Sequence, residues 1–127
     1  MIAVDSSSWV AFFSEHESSG DDTALVESAL ADHQACLPPV VLTELLSAPD
    51  LPRPVAALLT ALPRLEPVDG FWERVGRLRA KLIARQHRAR LADALIAQSC
   101  IDHHVRLVTR DGDFRHFARL GGLRLAL

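Results

Sequence analysis

The sequence has few of the features that mark secreted, membrane-spanning or zinc-binding proteins. Its two cysteines, Cys36 and Cys100, are far apart and match no disulfide or metal-ligand spacing, which favours a reducing cytoplasm. No apolar run approaches the roughly 20 residues that a membrane-spanning helix needs. The first residues form too short an apolar segment, without the basic flank of a signal peptide. We therefore expect a cytoplasmic protein that does not associate with a membrane.

Lysine and glycine are also scarce where two familiar α/β domains need them. The only lysine, Lys81, falls within a predicted helix, which argues against a phospho-receiver domain with a lysine near its last strand. Asp5-Ser6-Ser7-Ser8 stands where a dinucleotide-binding domain would carry its glycine-rich turn. The net charge of −2 does not indicate general nucleic-acid binding, so any basic surface must be local. With 127 residues, 49% of them hydrophobic, the chain suits one domain spanning 1–127.

The first residues predict the centre of the fold. Ile2-Ala3-Val4 is a short apolar run without a polar break, as in a strand that is buried on both faces. The serines at 6–8 precede the apolar residues of a helix and are expected to provide its N-cap. Asp5 then lies at the carboxyl end of a central strand, where open α/β sheets bind ligands. The alternative is that Asp5 merely caps the helix.

Further strands and helices alternate along the chain. Strands are predicted near 35–37, 65–68, 105–109 and 123–127, helices near 21–30, 40–46, 55–62, 70–87, 91–104 and 111–120, and a polar turn at 15–20. This alternation predicts a three-layer α/β/α sandwich with a central, mainly parallel sheet of about five strands.

Four more acids occur in apolar surroundings or at strand ends. Glu44 lies in a segment so apolar that its helix should be largely buried, and a lone buried Glu needs a partner or a cation. Asp93 lies between alanines that let a helix approach the sheet, so it should face the same crevice as Asp5. Asp111 and Asp113 follow a buried strand. Each has a structural alternative: a narrow exposed stripe for Glu44, a first-turn helix position for Asp93, and turn or capping chemistry for Asp111 and Asp113.

Together these carboxylates predict a cation site. If the first strand and the one near 105–109 are neighbours, Asp5 and Asp111 open onto one edge of the sheet. Two carboxylates about 4 Å apart repel by roughly 4 kcal/mol at an effective dielectric of 20, so several cannot all stay ionised without compensation. An all-oxygen cluster selects hard ions, Mg²⁺ or Mn²⁺. Such an ion can activate water for attack on a phosphodiester.

Four segments in this order resemble a known family: Ile2-Ala3-Val4-Asp5-Ser6-Ser7, Thr43-Glu44-Leu45, Leu91-Ala92-Asp93-Ala94-Leu95-Ile96-Ala97 and Leu107-Val108-Thr109-Arg110-Asp111-Gly112-Asp113-Phe114. Their spacing resembles that of PIN-domain proteins, and the last two look most like VapC-type toxins of prokaryotic toxin–antitoxin pairs. The resemblance implies a Mg²⁺-dependent endoribonuclease held inactive by a cognate VapB-like antitoxin, and a homodimer or larger assembly. Other PIN proteins process RNA without being toxins, and a non-catalytic scaffold is a further alternative.

The resemblance also implies roles for individual residues. The family's acidic quartet falls on Asp5, Glu44, Asp93 and Asp111. The metal ligands would be Asp5, Asp93, Asp111 and Asp113, since the family varies in which acid of the last motif reaches the metal. Small hydroxyl residues that support the site correspond to Ser7 and Thr109.

Residues 74–90 contain seven Arg or Lys residues and no acid, half of the chain's cationic total. A spacing of 3, 4, 4 and 3 residues predicts a cationic ridge on one helix face, made of Arg74, Arg77, Lys81, Arg85 and Arg88. An adjacent apolar stripe, Phe71, Val75, Leu78 and Leu82, can pack against the core. We expect the cationic ridge to bind RNA phosphates beside the metal site. An ordinary solvated face and contact with an antitoxin are the alternatives.

Overall fold

A parallel sheet of three strands forms the centre of the fold. The computed structural model describes residues 1–14 and 19–127. Strands β1 (Ile2–Val4), β2 (Ala35–Cys36) and β3 (Arg106–Val108) lie in the order β2-β1-β3. Ile2 pairs in parallel register with Ala35 on one side and with Arg106 on the other. The first strand is therefore central, as predicted, and it adjoins β3, which is the condition under which Asp5 and Asp111 open onto one edge of the sheet.

Seven helices surround this sheet in the described part of the chain. They are α1 (Ser6–Phe13), α2 (Asp21–Ala31), α3 (Pro39–Leu46), α4 (Arg53–Ala61), α5 (Phe71–Ala84), α6 (Leu91–Asp102) and α7 (Phe114–Gly121). Within the described residues, no helix combines the length and apolar character needed to cross a bilayer. The predicted polar turn at 15–20 lies mostly outside the described residues, which omit 15–18.

The prediction of about five strands was wrong, because two of the predicted strands contribute only single bridges. Leu37 bridges to Arg64, and Leu107 bridges to Leu125, both in parallel. Prolines 63 and 67 flank the first segment and have no N–H group to extend its pairing. In the segment near the C-terminus, pairing is limited by β3, which has only three residues. Of these, Leu107 alone points its N–H and C=O towards residues 124–126, where they bond to the Arg124 carbonyl and the Ala126 N–H.

Packing of the helices brings the carboxyl edge of the sheet together. The apolar stripe predicted on α5 is buried as expected, and the large side chains of Trp9, Phe114 and Phe117 are completely buried in the core. On α6, Ala94 and Ala97 are fully buried, so this helix lies close against the sheet. The first turn of α6 therefore reaches the ends of β1 and β3.

Candidate metal centre

Asp5 is buried at the end of β1 and is held by hydroxyl groups. Its residue is 6% exposed, and its N–H donates to the Val108 carbonyl at 2.9 Å, which continues the pairing with β3. Its Oδ2 accepts hydrogen bonds from Ser7 Oγ at 3.0 Å and Thr109 Oγ1 at 2.8 Å. Asp5 occupies the N-cap position of α1, so the expectation that the serines would provide the cap was wrong. However, its carboxylate makes no capping hydrogen bond, so capping does not account for its burial.

The same two hydroxyl groups connect Asp5 with the turn after β3. Ser7 Oγ accepts a hydrogen bond from the Arg110 N–H at 3.0 Å. Thr109 Oγ1 accepts one from the Asp111 N–H, also at 3.0 Å. Each hydroxyl thus donates to the Asp5 carboxylate and accepts from the backbone of the turn. This arrangement fixes the position of the turn that carries Asp111 relative to β1.

Three carboxylates converge beside Asp5. Oxygens of Asp93, Asp111 and Asp113 lie within 4.8 Å of one another, and each residue is partly buried. Asp93 lies in the first turn of α6, where it interacts favourably with the helix dipole, and it is also a member of the cluster. Asp111 Oδ1 accepts a hydrogen bond from the Asp113 N–H at 2.9 Å, so the Asp111 carboxylate also stabilises the turn after β3. These three side chains, called the acid cluster below, could hold a divalent metal ion.

The electrostatics of the acid cluster act most strongly on Asp93. Burial raises the pKa of Asp93, and the charges of Asp111, Asp5 and Glu44 raise it further, whereas Arg90 lowers it; the result is about 6. Asp5 and Glu44 are not among the three clustered residues, but their charges reach Asp93. Without a cation, the cluster therefore favours a proton on Asp93. A bound cation would remove this penalty on the ionised form.

Glu44 is exposed, so the prediction that its helix is largely buried was wrong. On α3, Val41 and Leu45 are buried, one turn apart, and Val40 and Leu42 pack against the core while remaining partly exposed. Glu44 lies on the side of the helix that is left open. The exposed stripe considered as the alternative is what forms. Glu44 Oε1 accepts a hydrogen bond from Ser6 Oγ at 2.8 Å, which holds this carboxylate beside the start of α1.

An ion pair that the sequence did not suggest supports the turn after β3. Arg110 donates from Nε to Asp22 Oδ2 at 2.6 Å and from Nη2 to Asp22 Oδ1 at 3.0 Å. Ser8 Oγ donates to the same Asp22 carboxylate at 3.1 Å. The Arg110 guanidinium lowers the pKa of Asp22, although burial opposes that shift. Arg110 lies inside the last motif, but no signal connects it with an acid 88 residues away.

The predicted cationic ridge is not continuous. Helix α5 ends at Ala84, so Arg85 is its C-cap residue and Arg88 lies beyond it. Arg74 donates to Asp102 in a two-point ion pair, with Nη2–Oδ2 at 2.6 Å and Nε–Oδ1 at 3.0 Å. Asp102 lies nine residues after Asp93 on α6, about 14 Å along the helix. Arg74 is therefore remote from the acid cluster.

Of the remaining residues of the cationic ridge, Lys81 makes a hydrogen bond within the protein, whereas Arg77 and Arg85 are exposed. Lys81 Nζ donates to the Leu120 carbonyl at 3.3 Å, which connects α5 to α7. The loop after α5 returns directly to the first turn of α6, so the cations at this end of α5 are the ones nearest the acid cluster. RNA binding by this set remains a prediction.

Solved structures share this fold over nearly the whole chain. VapBC2 from Rickettsia felis, bound to a promoter DNA fragment, is 20% identical with a TM-score of 0.73, covering 98% of this chain and 97% of that one. VapBC-5 from Mycobacterium tuberculosis, a member of a toxin–antitoxin family, is 20% identical with a TM-score of 0.66, covering 98% and 95%. DNA-bound VapBC from Salmonella typhimurium is 17% identical with a TM-score of 0.69, covering 98% and 97%.

The family of the chain follows from a match to a family model, because structures that are 20% identical or less show only a shared fold. No curated protein sequence matches the chain. The model of the PIN domain matches residues 2–120, a span that contains β1, the exposed Glu44 and all three members of the acid cluster. On this match the chain belongs to the PIN domain family.

Proposed function

We propose that the chain is a Mg²⁺- or Mn²⁺-dependent endoribonuclease. The observation that carries this proposal is the acid cluster, whose three carboxylates approach within 4.8 Å of one another at the carboxyl edge of the sheet. Membership of the PIN domain family supports a nuclease. Burial and the neighbouring carboxylates together raise the pKa of Asp93, so ionising the cluster is costly, and a divalent cation would offset that cost.

The donor set fits a hard divalent ion. All three side chains offer carboxylate oxygens, which Mg²⁺ and Mn²⁺ prefer. Asp93, Asp111 and Asp113 would hold the ion, with the buried carboxylate of Asp5 behind them. When bound, such an ion supplies an activated water and neutralises charge on the phosphate.

Hydrogen bonds and an ion pair within the chain would hold the catalytic carboxylates in place. Ser7 and Thr109 fix the Asp5 carboxylate and, through the backbone of the turn, the position of Asp111. The ion pair of Arg110 with Asp22 keeps the same turn in place. Glu44, held by Ser6 Oγ, is the acid that remains open to an approaching substrate. Rigid support of this kind preserves the geometry that catalysis requires.

Total RNA provides the direct test. We expect the purified protein to cut RNA with Mg²⁺ or Mn²⁺ and to lose that activity in EDTA, because the acid cluster needs a cation to present a phosphate. Mapping the new RNA ends would identify the bond that is cut. Intact RNA with both metals, from protein that is folded by circular dichroism, would contradict a nuclease and favour a non-catalytic PIN scaffold.

A small inhibitory partner is the second part of the proposal, since solved structures that share this fold include VapBC proteins of toxin–antitoxin systems. A groove of about 330 Å³ runs between α1, α3 and α4 and is lined mainly by Val10, Phe13, Leu45, Leu51 and Leu59. We propose that an amphipathic segment of a VapB-like antitoxin lies in this groove. The pair would act in the cytoplasm, where its RNA substrate is.

The groove leads directly to the acidic residues. Ser6 lies one turn before Val10 on α1, and Glu44 adjoins Leu45 on α3, so the hydrogen bond between Ser6 and Glu44 lies next to the lining of the groove along both helices. A segment continuing past this point would reach Glu44, Asp5 and Asp93. An arginine there could pair with the carboxylates through two hydrogen bonds and replace the metal.

A separate apolar surface suits a second copy of this chain. Trp72, Ile83 and Leu91 are at least 50% exposed and border a depression of about 350 Å³ between α5 and α6. Exposed apolar clusters of this kind mark protein interfaces, and twofold pairing is the commonest assembly. We expect sedimentation to report twice the 14.0 kDa mass, and Trp72→Glu to give the monomer. A monomeric wild type at micromolar concentration would contradict this assignment.

A further inference from the structure

Two histidines stack against each other where the loop after α5 meets α7. The ring centroids of His87, in the loop after α5, and His116, on α7, are 4.0 Å apart with an angle of 16° between the planes. His116 donates its backbone N–H to the Asp113 carbonyl at 3.3 Å, so it lies one turn from a member of the acid cluster. His87 precedes Asp93 by six residues in a loop that leads directly into α6. The histidine pair is therefore connected to the acid cluster along the chain, through the first turn of α7 and through the loop before α6.

The rings are positioned by packing. Nδ1 of His116 is buried and has no hydrogen-bond partner among the described residues. The orientation of this ring is therefore set by its stacking on His87 and by its position on α7. One face of the His87 ring is covered by His116, while the His87 residue as a whole is half-buried. Part of the His87 ring thus remains accessible to a ligand on a rigid support.

The surroundings of the histidine pair are cationic. Burial lowers the pKa of His87, and His116, Arg119 and Arg85 lower it further, which favours the neutral form of the ring. Within residues 1–14 and 19–127, Arg85, Arg88 and Arg119 take part in no ion pair. Arg119 is on the exposed side of α7, one turn after His116. A neutral aromatic ring framed by unpaired guanidinium groups is the combination that binds single-stranded nucleic acid.

We propose that His87, backed by His116, is a stacking platform for one base of the RNA strand, and that Arg85 and Arg119 hold the phosphates on either side of that base. This inference rests on the proposed ribonuclease function and names how the same site would position its substrate. Bases of single-stranded RNA stack on histidine and other aromatic rings irrespective of sequence. A strand held there could continue along the start of α7, where Asp113 lies.

Binding of a short single-stranded RNA that carries 2-aminopurine tests the platform, in EDTA so that no cleavage interferes. Stacking of the base analogue on His87 should quench its fluorescence. We expect His87→Ala to weaken binding about 5-fold or more and to abolish the quenching, since one base no longer stacks. His87→Phe should restore both, because a phenyl ring keeps the stack and the packing against His116.

Charge and stacking can be separated in the same assay. Replacing Arg85 and Arg119 by Gln should reduce the slope of log affinity against log salt by about 0.7 for each phosphate that is no longer bound, whereas His87→Ala should leave the slope unchanged. His33→Asn is the matched control, because His33 is exposed with φ of 55°, a conformation that Asn tolerates. Melting temperatures of all variants exclude unfolding as a cause.

Unchanged binding and quenching in His87→Ala would overturn the platform, even if the arginine variants change the salt slope. If none of these variants differs from the wild type, this whole surface takes no part in RNA binding. Neither result affects the proposed function, which depends on metal-dependent cleavage of total RNA by the unmodified protein.

Discussion

Asp93→Asn should abolish RNA cleavage and, in the absence of metal, stabilise the protein. The pKa of Asp93 is raised from 3.8 to about 6, so the folded chain holds this proton more tightly than the unfolded chain. The stability that the proton confers is complete below pH 3.8 and is lost as the pH rises through 6. At 1.36 kcal/mol per pKa unit, the full shift corresponds to about 3 kcal/mol, and solvent screening of this partly exposed carboxylate makes the actual cost of ionisation smaller. Asn avoids this cost.

Thermal unfolding in EDTA at two pH values checks this expectation. At pH 8 the variant should melt several degrees above the wild type, at roughly 3 to 6 °C per kcal/mol for a chain of this size, and at pH 5 the difference should shrink. Adding Mg²⁺ should stabilise the wild type and leave the variant unchanged, because only the wild type binds the ion well. Asp32→Asn, which changes an exposed acid at the end of α2, is the control for a general charge effect.

The opposite outcome would be equally informative. If Asp93→Asn lowers the melting temperature equally at both pH values, the main role of Asp93 is to interact with the dipole of α6, as its first-turn position allows. Cleavage that persists in the variant would remove Asp93 from the proposed catalytic set.

Val10→Glu should free the ribonuclease from its inhibitor without reducing cleavage. Val10 is 56% exposed on α1 and lines the groove assigned to the antitoxin, so a carboxylate there costs little in the free chain. In the complex, the same carboxylate would be buried against the apolar side of the partner segment without a counter-ion. We therefore expect neutralisation to fail while the acid cluster stays intact.

Growth after induction provides the measurement. The wild-type chain alone should arrest growth, and co-expression of its neighbouring reading frame should restore it. Val10→Glu should arrest growth in both cases. Val68→Glu is the matched control, since Val68 is 45% exposed and does not line the groove, so the partner should still neutralise it. A wild type that is harmless at proven expression would exclude the toxin role, while RNA cleavage in vitro could still stand.

Local patterns in the sequence were sufficient to predict the elements that build the site. The apolar run before Asp5 predicted a central buried strand, and the spacing along α5 predicted its buried stripe, because burial follows the periods of strands and helices. The order of the acidic motifs indicated the PIN domain family, which the family model confirms. These features depend on residues that are close in sequence, where the geometry of one element relates them directly.

Other features depend on how the elements pack and could not be read from spacing. The apolar composition of α3 predicted a buried Glu44, but this helix is covered on one side only, so Glu44 lies at the surface although most of its apolar neighbours are at least partly buried. The spacing of the cations predicted one ridge, but α5 stops at Ala84 and Arg74 pairs with Asp102 on another helix.

The contacts that join separate elements around the acid cluster are long-range. Thr109 donates to Asp5 across 104 residues, Arg110 pairs with Asp22 across 88, and His87 stacks on a ring of α7. Sequence alone determined which carboxylates follow strands or begin helices, because strand and helix patterns are local. Tertiary structure alone decided which of them share a cation-sized space, because that distance is set by the packing of α6 and the β3 turn against β1.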